Sequence, residues 1–132
     1  MYNKVFIIDD DEISIFLAEN MLEVIEFARE FKGFLYANEA LAELIALFKR
    51  GDYQHLPDIM FLDLNMPHMS GWEFLDALMP YEQILSSRCQ IYILTSSIDA
   101  EEIEKAKKYK IVSSFLQKPL EDSAIAEISR KA

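Results

Sequence analysis

The sequence predicts an α/β fold: five βα units that build one parallel sheet with helices on both faces. Three observations predict it. Short apolar runs recur at 4–8, 32–37, 58–62, 90–94 and 113–117, with stretches of helical spacing between them. Four of the five runs are too apolar for half-exposed strands and read as strands buried on both faces. The whole alternation fits in 132 residues, enough for one domain with one substantial core.

Each element follows from local chemistry. The first run, KVFII (4–8), stops on Asp9, Asp10 and Asp11. In the helical stretch after it, DEISIFLAENMLEVIEFA (11–28), Ile13, Leu17, Met21, Val24 and Ala28 form one stripe. That stripe is expected to face the core, leaving Ile15 and Leu22 on the opposite side among Glu19 and Glu26. Asp11 and Glu12 suit the helix start, where negative charge is favoured. The second run, KGFLYA (32–37), leads into a helix expected to be capped by Asn38 and stopped by Gly51. The third, DIMFL (58–62), ends on Asp63. Ser70 and Glu73 then offer a capping box, with Met69 and Phe74 at staple positions. Pro80 is expected to end or kink that helix. The fourth run, QIYIL (90–94), ends in Thr95, Ser96 and Ser97, and Asp99 opens the next helix. The fifth, SSFLQ (113–117), ends in Lys118 and Pro119, and EDSAIAEISRKA (121–132) closes the chain as a helix. No repeat or linker interrupts the pattern. The expectation is a single domain over 1–132 with no further domain after it.

Net charge is −10, from 23 acidic and 13 basic residues. That argues against nonspecific binding to nucleic acid or to an anionic membrane. The lysines of the C-terminal third, as in EKAKKYK, are interleaved with glutamates and read as a solvated helix face. No apolar run approaches the ~20 residues that span a bilayer. The N-terminus turns acidic too early for a secretory signal, so a cytoplasmic location is expected. Cys89 is the only cysteine, which excludes an internal disulfide and reads as a half-buried free thiol.

In open α/β sheets, ligands bind outside the carboxyl ends of the strands. Polar residues gather at those ends here. In the common strand order 2-1-3-4-5 the first and third strands are neighbours, ~4.8 Å apart. Asp9, Asp10 and Asp63 then share a corner, with Thr95 and Lys118 across from them. Two carboxylates ~4 Å apart repel by roughly 4 kcal/mol at an effective dielectric of about 20. One lysine does not offset three of them. A hard divalent cation does, and Mg²⁺ characteristically combines carboxylates, waters and a phosphate. The hydroxyl of Thr95 and the ammonium of Lys118 both suit phosphoryl oxygens. The corner reads as a Mg²⁺ site awaiting a phosphoryl group.

Four segments carry a resemblance: FIIDDDE, FLDLNMPHMSGWEF, YILTSS and FLQKPL, in order, at successive strand ends. Over nearly its full length the chain resembles the receiver domains of bacterial two-component response regulators. The resemblance implies a flavodoxin-like (βα)5 three-layer sandwich with strand order 2-1-3-4-5. It implies phosphorelay signal transduction, with Asp63 as phosphoacceptor, Asp10 as direct Mg²⁺ ligand and Asp9 as its acidic partner. It implies the backbone carbonyl of Asn65 as a further ligand, Lys118 as a phosphoryl contact, and Thr95 and Phe115 as switch residues. A cis bond before Pro119 is usual in the family, and the positions of Asn65 and Ser97 tune the phosphoryl lifetime. The partners implied are a sensor histidine kinase or histidine phosphotransfer protein, which docks near the first helix, and a downstream protein target. Such a domain catalyses only its own phosphorylation and dephosphorylation.

Three rival readings exist. A phosphatase of the haloacid-dehalogenase type would use Asp9 as nucleophile within Asp9-x-Asp11, but it would leave Asp63 without a role. A flavin-binding protein would want a Ser/Thr/Gly-rich loop after the first strand, where this chain is acidic. A receiver-like interaction module that takes no phosphate would generally lack one of the acidic residues or the lysine. His68 reads as a solvated loop residue and Trp72 as a packing residue.

Overall fold

In the computed structural model the first strand is paired on both sides, and this sets the sheet. Residues 1–96 and 98–129 are described; Ser97 and the last three residues of the expected final helix lie outside them. Among the described residues, β1 (Tyr2–Ile8), β2 (Ala28–Phe34), β3 (Ile59–Leu62), β4 (Gln90–Thr95) and β5 (Val112–Gln117) form one parallel sheet in the order 2-1-3-4-5. The helices are α1 (Glu12–Val24), α2 (Ala37–Arg50), α3 (Gly71–Leu78), α4 (Glu82–Arg88), α5 (Ala100–Ala106) and α6 (Asp122–Ser129).

Successive side chains on a strand point to opposite faces, and both faces are covered. Phe6, Ile8, Met60 and Leu62 join a core under α2, α3 and α4. Val5, Ile7, Ile59 and Phe61 join a second core under α1 and α6. This three-layer arrangement is why the central runs are continuously apolar.

Three expectations need correction. β2 runs from Ala28 to Phe34 rather than over 32–37. It is an edge strand, and only its two terminal residues are buried, so its interior (REFKG) has no apolar signature. α1 ends at Val24, and its orientation is reversed. Ala18 and Leu22 are buried and Ile15 packs against the same core; of the expected stripe, Met21 packs against it and Ala28 is buried in β2, but Ile13, Leu17 and Val24 are 68%, 57% and 83% exposed. Ile15 seats over Gly33 of β2, where an added Cβ would lie 2.6 Å from Ile15 Cγ2. The close approach of helix to sheet therefore selects the sparser stripe, with small Ala18 at its centre, and leaves the larger apolar side chains outside. α2 starts at Ala37 behind Tyr36, so Asn38 lies within the helix and is not its cap.

Other expectations hold. Ser70 and Glu73 form the capping box, and Asp99 caps α5 by accepting from the Glu101 N–H. Pro80 ends α3: a short 3₁₀ turn, Met79–Tyr81, follows and α4 begins as a separate helix. The chain passes through a cis bond between Lys118 and Pro119. No helix among the described residues is long and apolar enough to cross a membrane. Cys89 is a free thiol as expected but buried rather than half-buried, and burial pushes it well up, which leaves it unreactive.

Candidate functional site

The site is built where β1, β3, β4 and β5 end. Backbone pairing continues past the strands: the Asp9 N–H donates to Phe34 O at 3.0 Å, and the Asp63 N–H to Ile8 O at 2.9 Å. Both aspartates are thus held by main chain before any side chain acts. The Lys118 N–H donates to Thr95 O at 2.7 Å, which fixes the lysine's backbone to the end of β4. Asp9, Asp63 and Thr95 are the buried polar residues among those described.

Side-chain oxygens of Asp9, Asp10 and Asp63 lie within 4.8 Å of one another. Lys118 Nζ stands 2.6 Å from Asp9 Oδ2 and 3.6 Å from Asp63 Oδ2. The shorter contact is an ion pair by distance, yet its direction misses hydrogen-bond geometry. Asp9 Oδ2 is consequently a buried oxygen with no hydrogen-bond donor among the described residues. Asp9 Oδ1 accepts from the Asp11 N–H at 3.0 Å, and among the described residues Asp63 Oδ1 accepts a long 3.3 Å contact from the Asn65 N–H.

The charges do not balance. Three carboxylates face one ammonium, and the carboxyl of Asp63 is pushed up to about 6. Burial is the main cause; the charges of Asp9 and Asp10 add to it, while Lys118 and the Asn65 N–H oppose it. Burial also works against the Lys118 ammonium, but contact with Asp9 and the charge of Asp63 prevail and keep its affinity for the proton raised.

An all-oxygen donor set, a surplus of negative charge and an under-satisfied buried oxygen fit a hard divalent cation such as Mg²⁺. Asp11 is outside this set. Its Oδ1 accepts from the Ile13 N–H at 2.9 Å as the N-cap of α1, and its Oδ2 accepts from Ser14 Oγ at 3.4 Å. That occupation counts against the phosphatase reading, which needs Asp11 beside Asp9 at the reacting centre. It also gives a test of register. Asp10→Ala should weaken Mg²⁺ binding on the order of tenfold or more, equivalent to about 1.4 kcal/mol. Asp11→Ala should leave binding near wild type and instead cost about 1 kcal/mol of stability through the lost cap. Equal losses of affinity in a metal titration would contradict the assignment.

Residues expected from the sequence thus meet here: Asp9, Asp10, Asp63 and Lys118 at the carboxylate cluster, Asn65 through its N–H, and Thr95 through its backbone. Phe115 lies farther along β5, opposite Ile93 and half-buried. It borders a groove of about 390 Å³ with Ile98, Ile103, Ala106 and Val112. His68 is exposed, adopts φ 67° and lies 5.5 Å from the ring of Tyr36, as suits a loop residue.

Gly71 carries no functional signature in the sequence. It opens α3, and its N–H donates to Leu64 O at 2.9 Å. A Cβ there would lie 2.7 Å from Asp63 O and 2.8 Å from Leu64 Cα. The helix rests directly on the backbone that carries Asp63. The available signal was a glycine in a helix's first turn, where most residues have higher helix propensity.

Comparison with known proteins agrees with this geometry. A family model described as the response regulator receiver domain matches residues 5–130. The chain is 25% identical to an uncharacterized response regulatory protein of Staphylococcus epidermidis, over 95% of this chain and 44% of that one. It is 30% identical to hybrid signal transduction histidine kinase C of Dictyostelium discoideum, over 97% of this chain and 10% of that one. The chain therefore spans less than half the length of the curated relatives it matches. Among solved structures, a two component response regulator from Cytophaga hutchinsonii superposes with a TM-score of 0.87 at 28% identity, covering 98% of this chain and 96% of that chain.

Proposed function

Since this chain belongs to the response regulator receiver domain family, we propose that it is a phosphorelay switch with Asp63 as the phosphoacceptor. One observation carries the choice of Asp63 over its neighbours. The Asp9 carboxylate accepts from the Asp11 N–H at 3.0 Å and is ion-paired with Lys118 at 2.6 Å, whereas the side-chain polar contacts of Asp63 among the described residues are 3.3 Å or longer. Asp63 is buried enough to exclude bulk water and free enough to attack.

In the reaction, an Asp63 carboxylate oxygen bonds to phosphorus as the bond from phosphorus to the donor's imidazole nitrogen breaks, its electron pair passing to that nitrogen. Asp9, Asp10, Asp63 and the carbonyl of Asn65 would hold Mg²⁺, which when bound offsets negative charge between carboxylates and phosphoryl oxygens. The Lys118 ammonium, close to Asp9 and Asp63, is positioned to take a phosphoryl oxygen. The hydroxyl of Thr95 takes another, and the ring of Phe115 turns inward to fill the space vacated. Attack by water on phosphorus returns phosphate and restores the Asp63 carboxylate, and the residue at position 65, two after the acceptor, tunes the rate.

The donor is a sensor histidine kinase or a histidine phosphotransfer protein acting in the cytoplasm. The hybrid histidine kinase among the relatives supports this partner class. A donor protein must cover the surface beside Asp63, and α1, which starts three residues after Asp9, presents exposed Ile13, Phe16 and Leu17. A groove of about 540 Å³ runs from Ser14, Leu17 and Met21 to Lys118, Pro119 and Leu120. The surface that reports the state is α5, β5 and α6, and its target is another protein.

Incubation with a small phosphodonor such as acetyl phosphate, followed by intact mass, tests the proposal. The protein should gain one phosphoryl mass with Mg²⁺ and none in EDTA. An adduct that forms equally in EDTA would contradict it.

A further inference from the structure

α5 is weakly attached to the body of the protein. It is seven residues long, and Ala106 is its one buried residue among those described. Ile103 beside the groove is 37% exposed. The firm attachment lies just after the helix, at Tyr109, which is only 2% exposed. Its backbone joins α5 to β5: the N–H donates to Ala106 O at 3.0 Å, and its carbonyl accepts from the Val112 N–H at 3.2 Å. Its side chain reaches α3. The ring stacks on Trp72 at 6.0 Å, and the hydroxyl donates to Asp76 Oδ1 at 2.5 Å. Trp72 and Asp76 are four residues apart and share one helix face. Lys105, in the last turn of α5, sets its ammonium 4.5 Å from the Trp72 ring centroid, a cation–π contact. Burial and the Asp76 carboxylate push the Tyr109 phenol up to about 12, so at neutral pH its hydroxyl keeps the proton it donates.

The other end of α3 is Gly71, seated against the carbonyl of Asp63 with no room for a Cβ. A continuous packed path therefore runs from the Asp63 backbone through Gly71 and one turn of α3 to Tyr109 and α5. We infer that Trp72, Asp76 and Tyr109 form a clamp that couples α5 to the backbone of Asp63, which makes Tyr109 a positioning residue for the phosphoacceptor. This path runs through α3 and is distinct from the one through Thr95 and Phe115, although both reach the C-terminal end of α5. The inference rests on the reading of Asp63 as the phosphoacceptor. Coupling is reciprocal: a change at Asp63 shifts α5, and loosening the clamp changes affinity at Asp63.

The probe is Mg²⁺ with beryllofluoride, read by amide exchange and by the fluorescence of Trp72, the only tryptophan. In wild type, ligand should change protection at both 63–71 and 100–112 and shift the Trp72 emission. Tyr109→Phe keeps the ring stack and loses only the hydroxyl. It should retain the response at 63–71, lose most of that at 100–112, and bind beryllofluoride with an affinity altered by about fivefold or more. Asp76→Asn keeps an acceptor and should behave like wild type, whereas Asp76→Ala should behave like Tyr109→Phe. A role confined to stability would lower the unfolding midpoint of these variants without changing the regional pattern. The clamp is overturned if Tyr109→Phe matches wild type at 100–112 and in affinity. No ligand response at 63–71 in wild type would overturn both the clamp and the reading of Asp63.

Discussion

Asp63→Asn should abolish phosphoryl uptake and at the same time stabilise the metal-free protein at neutral pH. Both effects have one cause. The folded protein raises the carboxyl of Asp63 from 3.8 to about 6 because burial and two neighbouring aspartates oppose its charge. A raised carboxyl favours the fold fully below the unfolded value of 3.8, and that contribution is lost as pH rises through about 6. At pH 7.5 the ionised form is a burden of about 1–3 kcal/mol, the lower figure applying where solvent reaches the carboxylate. Asparagine removes the burden with little change of shape. Urea unfolding in EDTA should therefore show the variant more stable at pH 7.5, with the gap shrinking toward pH 4. Mg²⁺ should stabilise wild type more than the variant, because a ligand bound only to the fold shifts the equilibrium by mass action. A variant no more stable than wild type at pH 7.5 would mean that the carboxylate cluster is not strained.

Gly71→Ala should be both less stable and slower to take up phosphate. Helix propensity alone predicts the reverse, because alanine is favoured over glycine by about 1 kcal/mol in a helix. The close contacts decide the sign. The new Cβ would meet Asp63 O at 2.7 Å and Leu64 Cα at 2.8 Å, and both are backbone atoms that cannot turn aside. Either α3 lifts or the Asp63 segment moves. Overpacking of this kind typically costs about 1–3 kcal/mol. Displacing a reacting group by about 1 Å can cost on the order of a hundredfold in rate. Urea unfolding and the initial rate of phosphoryl uptake measure the two effects. A variant stabilised as propensity alone predicts, with unchanged rate, would show that the contact is not tight.

Legibility in the sequence followed burial. β1, β3 and β4 are buried on both faces and stood out as apolar runs. β2 did not, because an edge strand needs only Ala28 and Phe34 inside. α1 carries apolar side chains on two sides, so its own pattern could not say which side meets the sheet; the space above Gly33 decides that, and Gly33 is distant in sequence. The site was legible because the fold gathers strand ends, and Asp9 with Asp10, Asp63 and Lys118 stand where the apolar runs stop. Gly71 against Asp63 and Tyr109 against Asp76 were not legible. Each is a tertiary contact that leaves no periodic trace in the chain.

Asp63, and neither Asp9 nor Asp10, is expected to accept the phosphoryl group. Borohydride reduces an aspartyl phosphate to homoserine and so leaves a stable mark at the acceptor. Wild-type protein treated with a small phosphodonor and Mg²⁺, then reduced and mapped by peptide mass, should carry homoserine at position 63 alone, and none when EDTA replaces Mg²⁺. Homoserine at position 9, or a mark at 63 that survives EDTA unchanged, would contradict the account.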